Sequence, residues 1–152
     1  MSLIIRAGEA EVLGLPPVTM TLLADGDSGI STIRTRMAKG TSGPPPHYHS
    51  GAPEMFFIIE GGLDVLTGDE VTRVSAGDYL VVPANTRHAF ATPDETGVDM
   101  LFFMPGVQRF EYFRLADRVR RGEEDPEQVL RTQERFDNHF EDSAVWKEFL
   151  AR

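Results

Sequence analysis

The sequence predicts one small, mainly β domain: a barrel of short strands followed by a helical tail. Three observations lead there. Up to Pro105, short apolar runs alternate with Gly, Pro, Asp and Asn, the texture of an all-β barrel or sandwich. Beyond Pro105 the apolar residues change period: Phe110, Phe113, Ala116 and Val119 recur at helical spacing, and Tyr112 and Leu115 widen the stripe. At 152 residues the chain is long enough to bury a core without disulfide or metal staples.

In chain order, strands are expected at Val18–Leu23, Ile30–Met37, Glu54–Ile59, Leu63–Thr67, Thr72–Val74, Tyr79–Val82, His88–Thr92 and Val98–Met104. Turns are expected at Gly26–Gly29, Gly61-Gly62 and Gly68-Asp69, where glycine frees the backbone. In the tail, Asp125-Pro126-Glu127 reads as a helix start, with an acidic cap and then proline at the first helical position. A last short helix carries Val145, Trp146, Phe149 and Leu150. Residues 1–105 are thus expected to form the barrel and residues 106–152 a helical extension, with no linker or repeat between them. The extension's apolar faces need cover, either from the barrel or from a second subunit. Met55–Ile59 is apolar on both faces, whereas a strand with one wet face alternates. Together with Leu101–Phe103 this suggests a homodimer.

Composition excludes several functions. There is no cysteine, so disulfides, thiolate zinc sites and cysteine nucleophiles are ruled out. The formal net charge of −9 argues against a phosphate-backbone binder, so no nucleic-acid partner is expected. Arg114, Arg118, Arg120 and Arg121 do cluster, but acidic neighbours interrupt them and make a solvated helix face. Leu3–Ile5 is too short for a signal-peptide core, and no apolar run reaches the length of a membrane span. The expectation is a cytoplasmic protein with no membrane partner.

The chemistry sits in two segments that hold three of the four histidines. The first reads His47-Tyr48-His49, four residues, then Glu54. On a strand, side chains two apart share a face, so His47 and His49 aim at one point while Tyr48 faces away. Ser50–Pro53 lets the chain return, and Glu54 opens the next strand with an oxygen donor. The second segment runs from Gly77 through Pro83 and delivers His88 at the start of another strand. Three imidazoles and a carboxylate suit one divalent first-row transition metal, with room left for water or substrate. Fe, Ni, Co, Mn, Cu and Zn all accept such a set. The fourth histidine, His139, is expected to face solvent or cap a helix.

The spacing of these two segments resembles the paired motifs of the cupin superfamily. In the first motif, His-x-His, four residues, Glu, six residues and Gly match His47, His49, Glu54 and Gly61; the motif's leading glycine falls on Thr41, between Gly40 and Gly43. In the second, Gly77, Pro83 and His88 match, Asn85 stands at the Pro-x-Gly glycine, and Thr92 stands at the final Asn. Asn tolerates positive φ and so can serve a turn built for glycine. The resemblance spans roughly residues 40–92. It implies a jelly-roll barrel with His47, His49, Glu54 and His88 as metal ligands.

Within that family, one barrel with a helical tail is similar to quercetinase-like flavonol dioxygenases and to metal-dependent aromatic polyketide cyclases. The first implies dioxygenation of an aromatic, polyphenolic or enolic molecule, with Glu54 as general base on a hydroxyl. The second implies a metal-polarised ketone and removal of an α-proton. A sugar isomerase needs polar side chains to hold hydroxyls, for which parity offers Arg34, Arg36 and Arg87. A ligand-binding cupin without catalysis is the remaining alternative. Parity from Glu54 and His88 puts Phe56 and Phe90 on the ligand side, where, with Phe102, they make an apolar wall suited to a flat substrate.

Overall fold

The structure, a computed structural model, describes residues 2–152. Ten strands and four α-helices are found among the described residues: β1 (Glu11–Leu15), β2 (Val18–Ala24), β3 (Ile30–Met37), β4 (His47–Tyr48), β5 (Glu54–Thr67), β6 (Glu70–Ser75), β7 (Tyr79–Val82), β8 (His88–Ala91), β9 (Val98–Pro105), α1 (Phe110–Arg120), α2 (Glu127–Arg131), α3 (Gln133–Phe136), β10 (His139–Phe140) and α4 (Ala144–Leu150). All pairings are antiparallel, and they form a jelly-roll barrel of two faces joined by β5. One face runs β1-β2-β3-β9-β5-β7; the other runs β6-β5-β8-β4-β10.

Gly61-Gly62 is not the expected turn. It lies inside β5, a single strand of 14 residues that serves both faces. Its first half pairs with β9 and β7, its second with β6 and β8. The register shifts between Ile58 and Glu60, and Gly61 sits at φ 82° against Gly97, whose carbonyl oxygen is 1.9 Å from where a Cβ would stand. A side chain cannot occupy that position, so glycine bends the strand between faces instead of reversing it. The Gly68-Asp69 turn does form, closing the β5–β6 hairpin in two residues. Strand β1 is not visible in the sequence pattern. Gly14 interrupts it at φ 96°, and Leu13 alone of its five residues is buried.

The core fills the space between the faces with alternate residues of each strand: Ile33 and Met37, Phe56 and Ile58, Met100 and Phe102. Their neighbours point outward. On β5 and β7 the outward side chains are Phe57, Ile59, Tyr79 and Val81, all exposed. The tail does not cover this apolar face within the chain.

The tail packs elsewhere on the barrel. Trp146 of α4 is buried against Leu66, Ala89 and Ala91, with Phe149 stacked on its ring at 5.3 Å. Ser143 starts that helix by accepting the Trp146 N–H at 3.1 Å, and Asp125 starts α2 by accepting the Glu127 N–H at 3.0 Å. Asp25 reaches across from the loop after β2 and accepts the Arg109 N–H at 2.6 Å, fixing where α1 begins. No helix among the described residues is long and apolar enough to cross a membrane.

Candidate metal centre

His47 on β4, His49 just after it, Glu54 at the start of β5 and His88 at the start of β8 come together inside the barrel. All four are buried, and each offers a donor atom within 4.8 Å of the others. The sheet register explains the convergence: β4 pairs with β8 so that His47 lies directly opposite His88. The turn before His88 depends on Asn85, which takes φ 63° and donates its N–H to the His49 carbonyl at 2.7 Å. Asn85 therefore fills the glycine position as its chemistry allows. Thr92, in place of the motif's Asn, binds the Ala38–Thr41 loop: its hydroxyl donates to Ala38 O at 2.6 Å and accepts the Thr41 N–H at 2.8 Å.

Each imidazole is oriented from behind. Its Nδ1 meets a backbone carbonyl: Pro45 O for His47 at 2.9 Å, Asp137 O for His49 at 2.7 Å and Thr86 O for His88 at 2.9 Å. A carbonyl can only accept, so each Nδ1 carries a proton and each Nε2 is directed inward. Two of these, on His49 and His88, approach Glu54 Oε2 at 2.7 and 2.6 Å. The three rings crowd together with centroids 4.4 to 5.2 Å apart. A positive charge must sit among them for those contacts to be favourable.

The electrostatics say where that charge can be. His47 is pushed down to about 3, first by burial and then by repulsion from a charged His88, so its imidazole is neutral. Burial also disfavours the charged form of His88, but the adjacent Glu54 carboxylate outweighs it and His88 ends above the usual histidine value. Burial opposes ionisation of Glu54 as well, yet His88 and His49 hold its carboxyl well below the usual range. A divalent cation held by His47, His49, Glu54 and His88 would take the place of a proton in this cluster. The donor set fits one transition-metal ion.

Above these residues lies a cavity of about 440 Å³. Phe56, Phe90 and Phe102 all line it, with Phe56 edge-on to Phe90 at 5.7 Å and to Phe102 at 5.9 Å. Gly43 is needed at its rim, since a Cβ there would meet the Phe90 ring at 2.6 Å. Helix α1 roofs the cavity with Tyr112, Phe113 and Ala116.

The domain model described as "Cupin domain" matches residues 33–104. That stretch holds both histidine motifs and the strands that carry them. Those residues make a cupin domain, and the chain has the cupin fold. It is 33% identical over 67 residues to quercetin 2,3-dioxygenase of Bacillus subtilis, a match that covers 44% of this chain and 19% of that protein. The chain therefore spans only a small part of that relative's length. Among solved structures it superposes on KdgF from Halomonas with a TM-score of 0.62, at 19% identity, over 74% of this chain and 99% of that one. It also superposes on the polyketide cyclase RemF from Streptomyces resistomycificus with a TM-score of 0.59, at 18% identity, over 71% and 82% of the two chains. At these identities the two structures speak for the fold.

Some expectations from the sequence require correction. Arg34 and Arg36 face outward and pair with Asp99, and Arg87 binds Asp69 and the Asp142 carbonyl; none lines the cupin cavity. An inward parity at these positions fails because the outer surface of the barrel carries its own ion pairs. His139 is neither a free surface residue nor a cap. It lies in β10, stacks on Tyr48 at 4.9 Å and bonds Asp137 at 3.0 Å.

The tail supplies what sequence reasoning missed. Asp137 holds His49 through its carbonyl, while its carboxylate accepts the Ser50 and Gly51 N–H groups and the Ser50 hydroxyl at 2.6 to 3.0 Å. It occupies the left-handed region, φ 50°. Replacement by alanine removes the clamp on the loop between His49 and Glu54 and strains the backbone. Asp137→Ala is expected to lower metal affinity by about 10- to 100-fold, measured by competition with a chelating dye; unchanged affinity would show that the clamp does not orient His49.

Proposed function

We propose that this cupin is a metal-dependent dioxygenase acting on an aromatic or enolic small molecule. The observation that carries the reading is a three-histidine, one-carboxylate cluster of which His47, His49 and Glu54 line a cavity walled by Phe56, Phe90 and Phe102. The 33% identity over 67 residues to a quercetin 2,3-dioxygenase supports the same class of substrate. When bound, a divalent transition metal supplies Lewis acidity and, for redox-active ions, electron transfer.

The chain's own residues do the rest. Glu54 Oε2 is engaged by His49 and His88, while Oε1 makes no hydrogen bond among the described residues and belongs to a side chain lining the cavity. Burial opposes its ionisation, but His88 and His49 keep the carboxyl ionised at neutral pH. A carboxylate beside the cavity is placed to take the proton of an enol or phenol O–H. The aromatic walls hold a flat ring over the ligand cluster and exclude water. Protein loaded with Fe, Ni, Co or Mn is expected to consume oxygen in proportion to loss of a flavonol. Substrate loss without oxygen uptake would point to cyclase or isomerase chemistry, and absence of turnover to a binding protein.

The proposal extends to a homodimer through the open face of β5 and β7. Phe57 is directly paired with Tyr79, and Val81 and Ile59 extend the same apolar surface. Light scattering on a sized column is expected to give a dimer for the unaltered chain and a monomer for Phe57→Lys/Val81→Lys. A monomeric unaltered chain at tens of micromolar would refute it.

A further inference from the structure

Among the described residues, the cavity wall formed by β2, β3 and β9 carries one polar side chain, Thr35. Thr35 is 8% exposed and lies on β3 between Ile33 and Met37, which line the cavity with it. Across the ladder it pairs with Met20 of β2 and Met100 of β9, and both of these line the cavity too. Alternation on β3 sends Arg34 and Arg36 outward and Thr35 inward, so the surface Thr35 retains belongs to the cavity. No group among the described residues bonds its hydroxyl. Nor is that hydroxyl one of the unpartnered polar atoms sealed from any surface, which are Arg87 Nε, Arg109 Nε and Asn138 Nδ2. Its oxygen therefore opens into the cavity with its hydrogen-bonding capacity unused.

The other polar side chains of the cavity are engaged or lie at its ends. Asp117 accepts the Gly14 N–H and the Arg121 Nε–H, both at 3.0 Å, and Arg120 pairs with it at 3.6 Å. Arg109 donates to Phe136 O and Asn138 Oδ1, and the charges of Glu54, Asp137 and Asp25 act on it. Ser42 is exposed at the rim. The Tyr112 hydroxyl is unbonded as well, but it is close enough to Glu54 for that charge to act on it, which puts it at the ligand end. Thr35 stands apart from that end. It pairs with Met100, and Met100 pairs with Ile58, which follows Glu54 by two inward positions on β5. At about 3.3 Å per residue and about 4.8 Å per strand, the Thr35 and Glu54 backbones are on the order of 15 Å apart.

A hydroxyl stranded beneath a bound molecule weakens binding, whereas valine would fill the same space without that cost. We propose that Thr35 is a specificity-determining residue whose hydroxyl bonds a hydroxyl group of the substrate, at the end remote from the metal ligands. The proposal rests on the metal-dependent reading above and narrows its substrate to a molecule oxygenated at both ends. An enolic or phenolic oxygen faces His47, His49 and Glu54, and a second hydroxyl faces β3. A site built to bond a hydroxyl rejects the analogue that lacks it.

A nested series of three compounds tests this directly. The parent flavonol carries only the enolic hydroxyl, galangin adds hydroxyls on one terminal ring, and kaempferol adds one more on the other. Calorimetric titration of metal-loaded protein is expected to show a gain in affinity of about 10-fold at one of these two steps. Thr35→Val keeps the side-chain volume and removes the hydroxyl. It should abolish that gain, bind the parent flavonol no more weakly than the unaltered protein does, and retain full metal content. Thr35→Ser should keep the gain, since it keeps the hydroxyl and loses only the methyl group. No gain at either step in the unaltered protein, or the same gain in Thr35→Val, would overturn the proposal. Failure of all three compounds to bind would overturn it together with the metal-dependent reading. A gain that Thr35→Val abolishes, without oxygen uptake, would uphold the role of Thr35 while overturning dioxygenation.

Discussion

Ending the chain at Gly106 is expected to yield insoluble protein that binds no metal. The tail is a structural part of the barrel even though the family motif lies wholly before it. Its loss strips Trp146 and Phe149 from Leu66, Ala89 and Ala91. It also removes the α1 roof, baring Phe56 and Phe102 to water, and takes away β10, which pairs with the ligand-bearing β4. Burial of a tryptophan side chain alone is worth about 3–5 kcal/mol, a large share of a small domain's net stability. Asp137 goes as well, and with it the carbonyl that orients His49. Solubility, circular dichroism and metal content of the truncated chain check this. A folded, metal-loaded truncation would show that the barrel stands alone and that the tail only decorates it.

Glu54→Gln is expected to retain part of the metal and lose most turnover, by about 10²- to 10⁴-fold. The three imidazoles and the glutamine carbonyl still offer four donors, so the ion stays with lower affinity. What is lost is the only carboxylate in the cluster, the group able to accept a proton from a bound hydroxyl. The measurements are metal content and oxygen uptake on the same preparation. Full turnover with Gln at this position would move the base elsewhere in the cavity.

Much of this site is legible in the amino-acid sequence. Strand alternation sends His47 and His49 to one side and Tyr48 to the other, and the turn around Asn85 brings His88 opposite them. Local geometry dictates all of that. Phe56, Phe90 and Phe102 follow from the same alternation, and the structure brings all three to the cavity; their contact with substrate belongs to the proposal. What the sequence hides depends on long-range contacts. Arg109 looks like one more surface arginine in a basic tail, and only the fold buries it. Asp137 acts through a backbone carbonyl 88 residues from the histidine it orients, which no side-chain pattern reveals. Gly61-Gly62 misleads because glycine signals both turns and bends. The carbonyl of Gly97, from another strand region, decides between them. Arg34, Arg36 and Arg87 mislead because parity gives a side, and the ends of long side chains follow their ion-pair partners.

The central claim is that His47, His49, Glu54 and His88 hold one metal ion, and elemental analysis of the untagged protein beside a His47→Ala/His88→Ala control tests it most directly. The expected result is about one transition-metal ion per chain in the unaltered protein and none in the control. A redox-active ion would favour dioxygenation, and zinc would favour the cyclase or isomerase readings. Absence of metal from the unaltered protein, with none taken up on incubation, would contradict the claim and leave a ligand-binding barrel.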